Sequence, residues 1–103
     1  MSNRITKSAR GKECQVRIPH VCSHNPETVV WAHANGLAAG KGIGMKSPDA
    51  LGSYACQKCH DLYDMRTPIS GTGLTHDQVK LYFYEGHLRS LKILIDQGIL
   101  KLT

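Results

Sequence analysis

The sequence predicts a small α+β domain stapled by zinc, and three observations lead there. Four cysteines fall in two pairs, Cys14 with Cys22 and Cys56 with Cys59. Two short runs of strand-forming residues stand on either side of a glycine-rich middle, and a long segment with helical periodicity follows them. With 103 residues the chain has room for a single domain (1–103) and a modest core.

Composition narrows the functional classes. Thirteen Lys and Arg against eight Asp and Glu leave a formal charge of +5, which suits a polyanionic partner such as DNA. Aromatic residues make up 6%, too few for a base-stacking platform. No apolar run approaches the roughly 18 residues of a membrane span, and Met1–Lys7 holds no apolar signal core. The expectation is a cytoplasmic protein away from membranes, not a secreted disulfide scaffold. In that reducing setting paired thiols favour a metal. Cys56-Gln57-Lys58-Cys59 lets two sulfurs of one tight turn reach the same ion, and Cys14 and Cys22 complete a tetrahedral structural zinc site through a wider loop.

The elements follow in order. Residues 1–13, with Arg4, Lys7, Arg10 and Lys12, lack periodicity and read as a loose basic arm. The first cysteine loop, 14–24, turns around Pro19. Thr28–Ala32 is β-branched and aromatic, hence a strand that delivers His33 at its end. Four glycines between Gly36 and Gly44 make a loop presenting Lys41 and Lys46; it lacks the Gly-Lys-Ser/Thr of a Walker motif. Ser47-Pro48-Asp49 is turn chemistry, and Leu51–Ala55 is an extended piece feeding Cys56. A helix over 57–66 puts His60 and Asp64 on one face, with Pro68 expected to stop it. After a Gly/Ser/Thr linker, Thr75-His76-Asp77-Gln78 has the form of a capping box. The helix behind it carries Val79, Tyr82, Phe83, Leu91, Leu94 and Ile95 and ends before Gly98, with Gly86 expected to bend it. Residues 99–102 have the composition of a final strand.

Six histidines compete for roles. His20 and His24 flank Cys22 as solvated or substitute ligands, His76 sits at a helix start, and His87 reads as a half-buried, hydrogen-bonded side chain. Cys56–His60 also matches a c-type haem attachment string, but that requires export and leaves Cys14 and Cys22 idle.

A strand ending in His33, a glycine-rich loop, and Cys56-x2-Cys59-His60 entering a helix resembles the HNH branch of the ββα-metal (His-Me finger) endonucleases. The likeness covers 14–66, leaving 74–103 as an added C-terminal helix and tail. The longer strings Arg10–Pro19, Asn25–Val30 and Ala55–Asp61 look more closely like the YbcO-type family of lambdoid phages and prophages. The resemblance implies a metal-dependent DNA endonuclease in phage DNA processing or recombination, leaving 5′-phosphate and 3′-hydroxyl ends. It implies His33 as general base and His60 as a ligand of a catalytic Mg²⁺ or other divalent ion. Asp64, one turn later on the same face, is expected either as a second ligand or as orienting His60 through a water. Arg17, Lys41, Lys46 and Arg66 would hold the nucleic-acid backbone, and phage recombination proteins or a second copy of the chain are implied partners. Ala32 stands where HNH proteins carry a metal-binding Asp, Glu or His, and Asp49 and Ser53 are the candidates for the motif's middle Asn. The alternatives are a non-catalytic zinc module that binds nucleic acid or a recombination partner, and a redox protein using Cys56 and Cys59.

Overall fold

The computed structural model describes residues 4–35 and 50–100. Lys41, Lys46 and Asp49 lie outside the described residues.

The first segment is not wholly a loose arm. Arg4–Ser8 forms a short helix, α1, because Ile5 and Ala9 share one face and both join the core. Ser8 Oγ lies 2.7 Å from the hydroxyl of Tyr54, which ties α1 to the middle of the chain. Two apolar residues among basic ones are too few to register as a periodic pattern, so the sequence did not disclose this helix.

The first cysteine loop is a compact turn. Val21 and Cys22 both donate backbone N–H groups to the Ile18 carbonyl, at 3.1 and 2.9 Å. Val16 and Ile18 are fully buried beneath it. A 3-10 turn, Pro26–Thr28, capped by the Asn25 side chain, precedes β1 (Val30–His33), so the strand starts two residues later than Thr28. β1 pairs antiparallel with β2 (Gly52–Ala55), Trp31 opposite Tyr54 and His33 opposite Gly52. Gly52 admits no side chain: a Cβ there would lie 2.5 Å from the Ala32 carbonyl oxygen.

From Cys56 the chain enters α2 (Gln57–Tyr63), with Cys56 as its N-cap. The helix ends at Asp64, ahead of Pro68, because Met65 takes a left-handed conformation (φ 62°). Arg66 N–H then bonds the Asp61 carbonyl and Met65 N–H that of Leu62, the two bonds of a Schellman cap. α3 (His76–Asp96) opens with the expected capping box, both reciprocal bonds present between Thr75 and Gln78.

α3 lies along β2 and runs unbroken through Gly86. That glycine serves close approach, not bending: a Cβ would meet Ser53 Oγ at 2.8 Å, and the Gln15 carbonyl oxygen and Val16 Cα at 2.9 Å. The contact is sealed by polar groups. Ser90 Oγ accepts from Tyr54 N–H at 3.0 Å, Gln15 N–H donates to the Tyr54 carbonyl at 2.8 Å, and the Arg89 guanidinium donates to the Gln15 carbonyl. His87 Nδ1 sits 2.6 Å from the Gly52 carbonyl, the half-buried role expected for it. The outer edge of β2 is thereby satisfied by a helix and a loop. The predicted last strand is absent over its described part: Ile99 and Leu100 both fold back on the Leu94 carbonyl, with Gly98 at φ 71°. Among the described residues no helix is long and apolar enough to cross a membrane.

Candidate active site and metal centre

The fold brings the two cysteine pairs together. The sulfurs of Cys14, Cys22, Cys56 and Cys59 all lie within 4.8 Å of one another and all four are buried, although Cys22 as a residue is half-buried. They are free thiols. A tetrahedral zinc ion with Zn–S bonds of about 2.3 Å holds its sulfurs about 3.8 Å apart, and the Cys22–Cys56 separation is 3.9 Å. Backbone N–H groups of Ser23 and Cys59 point at Cys56 Sγ, at 3.4 and 3.5 Å. Such donors stabilise thiolates and orient metal-bound sulfur. Hydrogen bonds from Cys14 and then Cys59 hold the Cys56 thiol well below its ordinary range, while burial pushes Cys22 up to about 11. The donor set fits zinc: four soft sulfurs that converge within 4.8 Å of one another.

Around this staple the loop's own polar groups are used internally. Arg17 Nε donates to the Cys14 carbonyl at 3.2 Å and its Nη2 to Gln15 Oε1 at 3.2 Å. His24 Nδ1 lies 3.8 Å from Cys22 Sγ. Arg17 is thus engaged in shaping the cysteine loop as well as exposed to solvent.

One turn of α2 beyond Cys59, a second polar group assembles. His60 Nε2 meets Asp64 Oδ2 at 2.9 Å, as their i, i+4 spacing allows. Asp64 Oδ1 accepts the side-chain amide of Asn35 at 2.8 Å. The Asn35 backbone N–H donates to the Tyr63 hydroxyl, also at 2.8 Å, and burial pushes the Tyr63 phenol above its usual value. The Schellman cap turns Arg66 back so that its guanidinium lies 3.6 Å from Asp64 and 3.7 Å from Asp61. Tyr63 is fixed from behind by Phe83 of α3, the rings stacked 3.7 Å apart. His33 closes β1 two residues before Asn35 and is half-buried.

Comparison with known proteins places the chain. A family model described as "Putative nuclease YbcO" matches residues 3–99. The chain belongs to the YbcO family. Two family members bearing that same description, from Escherichia coli K12 and from Enterobacteria phage 82, are each 42% identical over 97 residues, covering 94% of this chain and 96% of theirs. A solved structure described as a putative bacteriophage protein from Escherichia coli K-12 shares 39% identity and a TM-score of 0.74, covering 91% of this chain and 99% of that one.

Within this chain, then, the four cysteines converge, and so do His60 and Asp64. Ser53 is fully buried against Ser90, 3.2 Å away, and so is not placed to stand in for the motif's middle Asn. Among the described residues, the cysteines form the one group of three or more metal-binding side chains this close together. Sequence reasoning missed Asn35 and Tyr63. Asn35 sits two residues beyond His33, but its side-chain partner Asp64 is 29 residues away in the chain, so no local pattern announces it. Tyr63 carried no signal either, because its partner is a backbone N–H.

Proposed function

We propose that this chain is a metal-dependent DNA endonuclease of the HNH (His-Me finger, ββα-metal) type, acting in phage DNA processing or recombination. The observation that carries the reading is the bond from Asn35 to Asp64. It fastens the chain just past His33 to the helix bearing His60 and Asp64. The family's description as a nuclease and a relative from Enterobacteria phage 82 support the activity and its setting.

In this reading a water oxygen attacks phosphorus, its proton passes to His33, and the 3′ oxygen leaves. His60 and Asp64 offer one imidazole nitrogen and one carboxylate, a set compatible with a divalent ion that keeps water and phosphate oxygens as its other ligands. Such an ion would neutralise charge on the scissile phosphate and the leaving oxygen. Asn35 and Arg66 hold the Asp64 carboxylate in place. Exposed Arg66, with Lys41 and Lys46, which lie outside the described residues, supplies sequence-independent attraction for the phosphate backbone. The thiol cluster is structural: it pins the first loop to the start of α2, from which His60 projects.

Plasmid nicking in Mg²⁺ or Mn²⁺ tests this. His33→Ala should lose about 10²–10⁴-fold in rate with zinc content and circular dichroism unchanged, and His60→Ala should lose activity with altered metal dependence. Undiminished nicking by His33→Ala removes that residue from the chemistry. Tight DNA binding with no cleavage under any divalent ion assigns the chain to the zinc-module class instead.

A further inference from the structure

We infer that α3 carries a self-association surface, and that a second copy of this chain packs its own α3 against it in antiparallel fashion. The inference is independent of the nuclease reading.

α3 has two apolar faces. Val79, Phe83, Gly86, Ser90 and Leu94 face the body of the protein and are buried. On the opposite side Leu81, Tyr84, Leu88, Leu91 and Ile95 follow one another at intervals of three, four, three and four, the a/d spacing of a helix–helix seam. Leu81, Tyr84 and Leu88 are 58%, 44% and 66% exposed, three of the five large apolar side chains exposed among the described residues. Their concentration in one stripe, not their number, marks an interface.

Charge complementarity selects the occupant and its direction. With Leu81 at an a position, Glu85 and Lys92 take successive e positions on the outer flank. Lys92 Nζ lies 2.7 Å from its own Asp96, an exposed pair that opens or is shared when the partner's Glu85 arrives. When two copies run antiparallel with Leu88 facing the partner's Leu91, Tyr84 faces Ile95, and Glu85 comes opposite Lys92 twice across the two-fold axis. The other flank is not free for the e–g contacts of a parallel pair. Its g residues His87 and Leu94 belong to the chain's own body, His87 bonded to Gly52 and Leu94 fully buried. The helix is already held rigid by its packing on β2, so pairing costs little backbone ordering.

Sedimentation velocity of the full zinc-loaded chain over a concentration series tests the surface. The wild type should dimerise reversibly, and Leu88→Glu or the milder Leu88→Gln should weaken the dimer about thirtyfold, with unchanged helicity because Leu88 lies outside the core. Glu85→Lys and Lys92→Glu should each weaken it, and the two together should restore it. A chain that stays monomeric at every concentration overturns the inference, as does a dimer indifferent to the Leu88 variants. Failure of the double exchange to restore association overturns the antiparallel pairing. A monomeric wild type whose plasmid binding falls in Leu88→Glu assigns the stripe to nucleic acid and likewise overturns the second copy.

Discussion

Asn35 donates its side-chain amide to Asp64 across 2.8 Å, joining the segment after β1 to the C-cap of α2. Asp64 is held on both oxygens at once, Asn35 on Oδ1 and His60 on Oδ2. A carboxylate held at both oxygens keeps one orientation, as the ligand role proposed above for Asp64 requires. The same segment is locked a second time, through its backbone N–H, by the Tyr63 hydroxyl.

Replacing Asn35 with Ala should therefore cost activity and leave the fold alone. The backbone bond to Tyr63 survives, so thermal stability should change little. Plasmid nicking should fall about 10–100-fold, the usual loss when a group orienting a metal ligand is removed. Excess Mn²⁺ should recover part of it. Nicking equal to wild type across a full metal titration would separate Asn35 from the chemistry.

Metal removal should unfold the domain rather than merely silence it. Structural zinc contributes on the order of 10 kcal/mol of coupled binding and folding energy, comparable with the whole stability of a small domain. Cys59 is fully buried and Cys56 caps α2, so Cys59→Ser breaks the junction from which β2 and α2 depart. Elemental analysis should find one zinc per chain, and a strong chelator should collapse the far-ultraviolet helix signal. A chelated chain that keeps its helicity and melting point would make the cluster dispensable.

Much of this layout was legible in the sequence because its signals are local. The Cys56-x2-Cys59 turn, the His60–Asp64 spacing and the Thr75–Gln78 box each rest on contacts within one turn, and each formed. What stayed hidden depends on distant partners. Helix-tolerant residues extend to about Arg66 ahead of Pro68, whereas a left-handed Met65 ends α2 earlier and aims Arg66 at Asp64. Gly86 looked like a bend because the backbone of Gln15 and Val16, seventy residues away, is what it accommodates. Asn35 lacked a visible partner for the same reason.

Alkaline pH should loosen the fold through two tyrosines. Burial raises the phenol of Tyr54, and burial likewise raises that of Tyr63, above the ordinary value of 10.0. For a group whose folded value is raised, the stabilisation is complete below the unfolded value and is lost as pH climbs through the folded one. Denaturant unfolding of zinc-loaded protein should thus show stability falling above about pH 10. Tyr63→Phe should flatten that decline while lowering stability at neutral pH by about 1–3 kcal/mol, since the Asn35 N–H loses its acceptor. A decline as steep as wild type in both Tyr54→Phe and Tyr63→Phe would place the alkaline sensitivity elsewhere.

Gly86→Ala sets two effects of opposite sign against each other. Helix propensity favours alanine by about 1 kcal/mol at an exposed interior position. Here the new methyl would stand 2.9 Å from Val16 Cα and from the Gln15 carbonyl oxygen, and 2.8 Å from Ser53 Oγ. Two of those neighbours are backbone of the cysteine loop, which Cys14 and Cys22 on either side tie into the thiol cluster. α3 must then lift from β2, stretching the bonds of Ser90 to Tyr54 and of Arg89 to Gln15 together. Overpacking of this kind costs about 1–3 kcal/mol before those bonds are counted, so the clash outweighs the propensity. The melting temperature should fall by several degrees, at roughly 4–8 °C per kcal/mol for a domain of this size, and Gly86→Val should fall further. An unchanged or raised melting temperature in Gly86→Ala would mean that α3 does not approach the cysteine loop as closely as described.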